Sequence, residues 1–286
     1  MKTCLECLPC LSKNALNIVK RMECPEALKN KIVSDSMHML ADCDMSMSPP
    51  YYARLIMDIA DKNAGGSTGD VYQQEKLKST QLAEKLLADL LQGTLYHPDD
   101  FESRLRLAIA GNILDFGVFG DLNIGEALRT VESAFTKNLD KTAVQTLKEK
   151  MDAANNILYI LDNCGEVVFD REFIRPYKDK ITLAVRGKPA FNDVLRSDLE
   201  PSGLGDFTDV IDNENGVPGV IIEDSGTVMQ QAFAKADLII AKGQGNFETL
   251  DETDRPIAFL FMAKCPVVIR KINAQPNSIQ LKFCNC

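Results

Sequence analysis

A carboxylate and a carboxamide stand side by side directly after a run of apolar and β-branched residues. The run is ILYIL at 157–161, and Asp162 and Asn163 follow it. A second such run, ITLAV, leads into RGKPAFND, which ends in Asp193. Carboxylate and amide oxygens are the ligands that hard divalent cations such as Mg²⁺ and Mn²⁺ prefer. These three residues are therefore candidate metal ligands; the alternative is that Asp162 or Asn163 only caps the following helix.

Basic residues and glycines follow the same kind of run. RGKPAFND contains two cations, and KGQGNFE, after DLIIA, contains a third together with two glycines. Glycines at a strand-to-helix turn allow backbone N–H groups to approach an anion; the alternative is an ordinary tight turn in which Asn246 caps the next helix. Three cations beside three metal-type ligands predict a phosphorylated small molecule as ligand. The predicted phosphate-binding residues are Lys242, Gly243, Gly245, Asn246, Arg186 and Lys188.

Two polar residues stand among apolar ones in AIAGNILDFG, at 108–117. Asn112 and Asp115 are three apart, which places them on one face of a predicted helix. Buried polar groups are costly unless they are paired. We expect either a hydrogen bond from helix to loop within the core, or a helix that faces the active cleft, where Asn112 and Asp115 would bind substrate. The Gly-rich segment at 65–72 is either a lid over that cleft or a solvated loop.

The cysteines form a separate pattern. Nine are present, and Cys4, Cys7 and Cys10 give two overlapping C-x-x-C pairs ahead of the first predicted helix. A structural zinc site usually needs four ligands, and a second pair is missing nearby. A bound metal, a redox pair and plain thiols therefore all remain open. Cys164, inside DNCGE, has no neighbouring histidine to activate it and is expected to be a spectator.

Strands that alternate with helices must position these side chains. The predicted strands lie at 157–161, 181–185, 237–241, 257–263 and 265–269. Stretches between them, such as 225–236, have helical spacing of apolar residues. Such alternation indicates parallel strands joined by right-handed crossovers. The polar clusters would then meet at the carboxyl edge of one sheet, where ligands bind in open α/β folds.

The first half of the chain has helical periodicity throughout. The predicted helices are 12–22, 25–42, 50–60, 74–91, 100–111, 123–136 and 141–154. We therefore predict a helical N-terminal region at 1–154, with room for two subdomains. An α/β domain at 155–286 would follow and carry the metal site.

Composition narrows the classes of function. The chain has 286 residues and 45% hydrophobic content, enough for a substantial core. Its net charge of −9 argues against a nucleic-acid partner, because phosphate-binding surfaces are usually basic. The sequence contains no run of about 18 apolar residues, so no membrane span is predicted. The N-terminal segment lacks the apolar stretch of a signal peptide. We therefore expect a cytoplasmic protein.

Together these motifs resemble those of the DUF89 family, the metal-dependent damage-control phosphatases. The matching motifs, in chain order, are CxxC, GN-x-x-D, DN-x-GE, RG-x-P-x-x-ND and KGQGN-x-E, and they span nearly the whole chain. Within the family, the chain is similar to the stand-alone, CxxC-bearing prokaryotic-type branch. One segment departs from the pattern, because TGDVYQQEK, with Asp70, Tyr72 and Lys76, stands where relatives commonly have Asp-Pro-Tyr.

The resemblance implies a Rossmann-like, three-layer parallel-sheet α/β domain preceded by an all-α region. It also implies hydrolysis of phosphate monoesters of small metabolites with Mn²⁺, Co²⁺, Ni²⁺ or Mg²⁺. It places the metal ligands on Asp162, Asn163 and Asp193, and the phosphate-contacting cations on Lys242 and Arg186. We expect metal-activated water to attack phosphorus, with attack by Asp162 as the alternative. Glu166 is expected to orient Asn163 or Lys242.

Two other classes of function remain open. A carboxyl methyltransferase would fit an α/β sheet, but DNCGE has a single glycine where such enzymes place a Gly-rich loop. A non-catalytic metal- or nucleotide-binding module is the second alternative. Turnover of a phosphate ester that depends on a divalent cation separates both from a phosphatase.

Overall fold

A six-stranded, mostly parallel sheet forms the centre of the molecule. The computed structural model describes residues 1–66, 68–112 and 124–284. The strands are β1 (Ile157–Ile160), β2 (Ile181–Val185), β3 (Val210–Asp212), β4 (Leu238–Lys242), β5 (Ile257–Met262) and β6 (Ile279–Cys284). Their order across the sheet is β3-β2-β1-β4-β5-β6. Strands β1 to β5 run parallel and β6 runs antiparallel to β5, which confirms the predicted α/β class.

Continuous apolar sequence explains why four of these strands were predictable. Every residue of β1, β2, β4 and β5 is buried, because helices cover both faces of a parallel sheet. Strands β3 and β6 were not predicted from the sequence. Strand β3 has only three residues, and in β6 polar side chains interrupt the apolar ones in IQLKFC.

Helices cover both faces of the sheet and extend beyond it. They are α1 (Cys7–Arg21), α2 (Glu26–Ala41), α3 (Pro49–Asn63), α4 (Gln73–Gln92), α5 (Phe101–Gly111), α6 (Ile124–Thr136), α7 (Lys141–Ala153), α8 (Cys164–Ile174), α9 (Thr227–Lys235), α10 (Gly243–Leu250) and α11 (Pro266–Ile272). The predicted helices are confirmed, with small differences at their ends. Helix α1 begins earlier than predicted, so that Cys7 and Cys10 lie within it rather than before it.

The strand predicted at 265–269 was wrong, because this segment belongs to α11. Pro266 occupies the first helical position, where its missing N–H has no partner to lose. Val268 is the buried residue of the helix. A short apolar run cannot be assigned to strand or helix by periodicity alone, and here the proline favours the helix.

Three clusters of buried apolar side chains hold the layers together. One face of the sheet packs against α4 to α8, the other face packs against α9 to α11, and α1 to α3 form a third cluster with Tyr72. This arrangement is the predicted three-layer α/β fold preceded by helices. The predicted boundary at 154/155 marks where the strands begin; as a domain boundary it stays a prediction, since α4 to α7 share a core with the sheet. None of the helices in the described ranges is long and apolar enough to cross a membrane.

The strand order has a topological switch point between β1 and β4. From β1 it moves outward to β2 and β3, and then it returns to β4 on the other side of β1. In open sheets this switch leaves a crevice outside the carboxyl ends of the two central strands. Asp162 follows β1 and Gly243 follows β4, so both motifs lie at that crevice.

Candidate functional site

A cavity of about 450 Å³ lies at the carboxyl edge of the sheet. Its walls come from α1, the start of α3 and the beginning of α4 on one side. The loops after β1, β2 and β5 and the first turns of α10 form the other side. The predicted site residues on its walls are Asn112, Asp162, Asn163, Asp193 and Gly245. The helical N-terminal region therefore closes over the sheet edge.

The three candidate metal ligands lie together on one wall. Asn163 and Asp193 are antiparallel backbone partners in an isolated bridge. The Nδ2 of Asn163 donates to Oδ2 of Asp162 at 2.8 Å. All three side chains are largely buried. Two carboxylates and a carboxamide are thus brought together, as the sequence predicted.

Asn163 does not act as a helix cap through its side chain. It stands at the N-cap position of α8, yet its side chain makes no capping hydrogen bond. The first N–H of α8, from Cys164, instead bonds the carbonyl of Asn192 at 3.1 Å. The start of the helix is therefore tied to the turn that carries Asp193, and the carboxamide of Asn163 faces Asp162.

Arg186 lies behind the carboxylates rather than on the cavity wall. Its Nε donates to Oδ2 of Asp193 at 2.7 Å, and its Nη2 is 3.8 Å from Oδ1 of Asp162 and 3.4 Å from Oδ1 of Asn246. The guanidinium therefore offsets the charge of two buried carboxylates. Its Nη1 is buried and, within the described ranges, has no hydrogen-bond partner. A buried donor of this kind calls for an acceptor such as a water or a bound anion.

The two glycines of KGQGN have packing roles. At Gly243 φ is 76°, and a Cβ there would lie 1.9 Å from Oδ2 of Asp162, so only glycine allows this close approach. At Gly245 a Cβ would lie 2.2 Å from the carbonyl oxygen of Pro218. Asn246 is not a cap either, since it lies inside α10 and donates to the carbonyl oxygen of Lys242 at 2.6 Å. Anion binding by this turn stays a prediction.

Lys242 points into the core, away from the cavity. Its fully buried ammonium donates to Asp170 at 2.7 Å, to the carbonyl oxygen of Ala108 at 2.9 Å and to Glu166. Burial alone would lower the pKa of Lys242, but the two carboxylates raise it above its usual value. Burial also raises the pKa of Asp170 to about 7. The predicted contact with phosphate does not agree with this position, because the core occupies all three donors of the ammonium.

Asn112 links this buried ion cluster to the cavity. Its Nδ2 donates to Oε2 of Glu166 at 2.8 Å and to Oδ2 of Asp162 at 3.1 Å. Its Oδ1 accepts from the N–H of Met262 at 3.2 Å. Asn112 therefore makes the buried hydrogen bonds and also lies on the cavity wall, while its binding of substrate stays a prediction. Glu166 contacts Lys242, as expected, and Asn112 links it to Asp162; Asp115 lies outside the described residues.

The cations on the cavity wall were not predicted from the sequence; they are Lys13, Arg21 and Lys264. Lys264 follows β5 at the same edge of the sheet as Asp162. The Oε1 of Gln244 accepts from the backbone N–H of Lys264 at 2.6 Å, which fixes this turn beside α10. Lys264 directly follows the strand predicted at 257–263, so the strand-end rule could have identified it. Lys188, which was predicted, is exposed and lies outside the lining of this cavity.

The segment predicted to be either a lid or a solvated loop is anchored at its end. Tyr72 lines the cavity, and the guanidinium of Arg21 lies 4.4 Å from the centre of its ring. Lys76 is buried and pairs with Asp70 and Asp198, each at 2.7 Å. The start of α4 is therefore fastened to the loop that follows Asp193. Tyr72 is a fixed part of the wall.

Comparison with known proteins agrees with this geometry. A family model described as the damage-control phosphatase ARMT1-like domain matches residues 3–279. The chain belongs to this family. A damage-control phosphatase of Pyrococcus horikoshii is 34% identical over 286 residues, covering 98% of this chain and 97% of the relative. One of Archaeoglobus fulgidus is 28% identical, with 99% of each chain covered.

A solved structure supports the same assignment. The crystal structure of a DUF89 family protein from P. horikoshii matches with a TM-score of 0.85 and 32% sequence identity, covering 98% of each chain. The resemblance to DUF89 in the sequence is thus confirmed, and the fold of this ARMT1-like chain with it.

The residues at the ARMT1-like site fit a divalent cation. The donor set consists of two carboxylates and a carboxamide, which suits a hard cation. Arg186 and Asn112 hold the carboxylates from behind with charge-assisted or amide hydrogen bonds, as outer partners of metal ligands do. The missing side chain at Gly243 keeps the space around Asp162 open.

Glu248 adds a titratable group to the wall of the cavity. Burial raises the pKa of Glu248 to about 7, Asp251 adds to this effect, and the α-amino group of Met1 opposes it. A carboxyl group that exchanges a proton near neutrality is suited to general acid–base work. The KGQGN-x-E motif contains this glutamate, but its sequence gives no sign of the shift.

Thiols also line the cavity, through Cys7, Cys10 and Cys265. The Sγ atoms of Cys4 and Cys7 are 3.5 Å apart. Burial raises the pKa of the Cys7 thiol to about 12, which disfavours the thiolate that metal binding or redox chemistry requires. Across the ranges that the structure describes, no three His, Cys, Asp or Glu side chains are grouped to hold a metal ion.

Serine at Cys4, Cys7 and Cys10 together is expected to preserve turnover. The carboxylates of Asp162 and Asp193 accept hydrogen bonds from Asn112, Asn163 and Arg186, and Cys7 is held in its uncharged form. Stability should fall by about 1–3 kcal/mol, because a serine hydroxyl at the buried Cys7 position needs a new partner. Turnover should be measured at low temperature, with circular dichroism to confirm folding. Loss of turnover in a folded triple variant would show that these thiols belong to the mechanism.

Proposed function

We propose that this chain is a metal-dependent phosphatase that hydrolyses phosphate monoesters of small metabolites. Asp162, Asn163 and Asp193 would hold one divalent cation. The observation that carries the proposal is the convergence of these residues on the wall of a cavity, in a chain whose relatives are named damage-control phosphatases. The cavity is large enough for a small metabolite and too small for a macromolecule.

The chain's own residues divide the work of catalysis. A bound divalent cation supplies positive charge to phosphate oxygens and lowers the pKa of nearby water. Arg186 keeps Asp193 in place, and Asn112 fixes the orientation of Asp162. The Oδ2 of Asp162 already accepts two amide hydrogen bonds, which weakens it as a nucleophile and supports attack by water.

Lys264 is the proposed contact for the phosphoryl oxygens in place of Lys242. It lies on the wall at the carboxyl edge of the sheet, and its backbone N–H donates to Oε1 of Gln244, which fixes the turn. A cation in this position stabilises the charge that develops on the phosphoryl group in the transition state. Arg186 contributes by holding the carboxylates, and its unpaired Nη1 provides a further donor beside them.

The comparisons give no support to the two alternatives. A carboxyl methyltransferase needs a site for its methyl donor, and the turn after β1 has one glycine. A non-catalytic binding module would bind the metal without hydrolysing a phosphate ester. The proposed metals are Mn²⁺, Co²⁺, Ni²⁺ and Mg²⁺, the set that the resemblance to DUF89 implies, and carboxylate and amide oxygens suit Mg²⁺ and Mn²⁺ among them.

A phosphatase screen over a panel of metabolites tests this function. Purified protein should be treated with EDTA and then assayed with and without each of the four metals. We expect release of inorganic phosphate that EDTA abolishes and Mn²⁺ restores. Absence of turnover with every metal would contradict the proposal and favour a binding module, provided that metal binding itself is retained.

We expect Lys264→Met to lower turnover roughly a hundredfold, because the substitution removes one charged donor to the transition state. Metal content should stay at the wild-type value, because Lys264 is not a proposed ligand. Phosphate release and bound Mn²⁺ should be measured on the same preparation. Lys85→Met, at an exposed position in α4, is the matched control and should retain full turnover. Equal turnover in both variants would remove Lys264 from the mechanism.

A further inference from the structure

Phe191 has a backbone conformation that is unusual for a bulky residue. Its φ is 51°, in the left-handed region where the Cβ of an L-residue crowds the following carbonyl oxygen. Phe191 occupies the first central position of a turn closed by a 3.0 Å hydrogen bond from the N–H of Asp193 to the carbonyl of Ala190. Glycine is the usual residue where a turn needs positive φ. Such an outlier persists only where its surroundings hold it.

The surroundings that hold Phe191 belong to the helical N-terminal region. Its ring packs edge-to-face on Tyr72, with ring centres 5.6 Å apart, and it contacts the apolar cluster of α1 to α3. Tyr72 is in turn covered by Arg21, whose Nε pairs with Glu75 at 2.7 Å. Phe191 is therefore the last of three stacked side chains, held by Tyr72 and, behind it, by Arg21 of α1.

The turn at 190–193 sets the relative positions of all three candidate metal ligands. The carbonyl of Asn192 accepts from the first N–H of α8, which follows Asn163. Asp193 bridges to Asn163 through the backbone, and the next N–H, from Val194, bonds the carbonyl of Asp162 at 2.9 Å. A change of φ at Phe191 would rotate the peptide that leads into this network.

We propose that Phe191 is a positioning residue for the metal site. Its ring, held by Tyr72, keeps the 190–193 turn in the conformation that places Asp193 beside Asp162 and Asn163. The proposal rests on the proposed metal-dependent function and adds a new element to it. The helical region, which supplies none of the three ligands, sets their geometry through one aromatic contact.

A role in packing alone makes a different prediction. If the ring only filled space, its loss would lower stability and leave the affinity for metal unchanged. A positioning role predicts weaker metal binding in protein that is still folded. It also predicts that alanine is worse than glycine at position 191, because only alanine retains the cost of positive φ.

Mn²⁺ titration of the metal-free protein by calorimetry tests the proposal. Phe191→Ala should weaken Mn²⁺ binding by about tenfold or more, as loss of an outer partner of a metal site does. Phe191→Gly should bind roughly fivefold more tightly than Phe191→Ala. Tyr72→Leu, which leaves the turn untouched, should also weaken binding, whereas Tyr72→Phe should restore it. Tyr51→Leu is the control, since that ring packs in the same cluster against Tyr52.

Wild-type affinity in folded Phe191→Ala and Tyr72→Leu would overturn the proposal. A crystal structure of metal-free Phe191→Ala tests the positioning role of Phe191 without any measurement of metal binding or turnover. We expect φ at position 191 to become negative and the carboxylate of Asp193 to leave Nε of Arg186. An unchanged turn would overturn the positioning role. Failure of the wild type to bind Mn²⁺ would instead count against the proposed function, and this crystal structure would still decide the role of Phe191.

Discussion

Replacing Asp162 with asparagine is expected to abolish metal binding and to lower turnover roughly a thousandfold, the upper range for loss of one stabilising group in a catalytic site. The substitution keeps the shape of the side chain and removes its charge. One carboxylate, Asp193, would then remain in the donor set, and Arg186 already pairs with it at 2.7 Å. A hard divalent cation binds poorly to a site with so little negative charge.

Metal content and phosphate release should be measured on the same Asp162→Asn preparation. The protein is loaded with Mn²⁺, desalted and analysed for bound metal before the assay. Asp99→Asn, at an exposed position, is the matched control and should bind metal as the wild type does. Equal metal content in the two variants would show that the cation, if bound, lies elsewhere.

Replacing Lys242 with methionine is expected to destabilise the protein by about 3–5 kcal/mol, the usual result of removing one partner from a buried ion pair. Methionine fills a similar volume but leaves Glu166 and Asp170 in the core without their shared cation. Unfolding by urea at pH 8 measures the change in the free energy of unfolding. Lys85→Met should stay within about 0.5 kcal/mol of wild type, as surface substitutions usually do.

The pH dependence of this loss follows from the pKa of Asp170. Burial raises the pKa of Asp170 to about 7 in the folded protein, whereas in the unfolded chain its pKa is about 4. The folded protein therefore holds the proton more tightly, and its free energy of unfolding falls as the pH rises from about 4 towards 7. Without Lys242 the folded pKa rises further, so the variant keeps losing stability above pH 7, where the wild type no longer does. The difference should therefore grow from pH 7 to pH 9. A fully stable variant that has lost turnover would support the sequence-based role in phosphate binding instead.

Lys242 was predicted to contact phosphate, but the structure places it in a buried ion cluster. The difference shows what a sequence motif cannot predict. The order of strand-like runs placed Asp162, Asn163 and Asp193 at one sheet edge, because the carboxyl ends of parallel strands coincide. The face to which a strand-end side chain points is a different question, since successive side chains alternate between faces. Strand β4 is buried on both faces and gives no alternation to read. Lys242 therefore looked like a phosphate ligand although it belongs to the core.

The rest of the site depends on contacts between distant parts of the chain. Arg21 and Tyr72 reach the cavity only because the cluster of α1 to α3 docks over the sheet edge, and no local pattern encodes that docking. The positive φ of Phe191 was equally unpredictable. Glycine or asparagine at position 191 would have indicated it, but phenylalanine does not. The position of Lys264 at the sheet edge could have been predicted from the sequence, because this residue follows a predicted strand.

The cavity wall joins residues from Glu6 to Cys265, which lie almost at opposite ends of the chain. Contacts with such large separations form late in folding, because closing a long loop costs chain entropy before any contact is gained. During synthesis, α1 emerges long before β5 exists to complete the wall. A nascent chain that already contains the carboxylates would therefore have an open, unformed site. Hydrolytic activity should appear only when the last strands have joined the sheet, which makes it a sensitive reporter of complete folding.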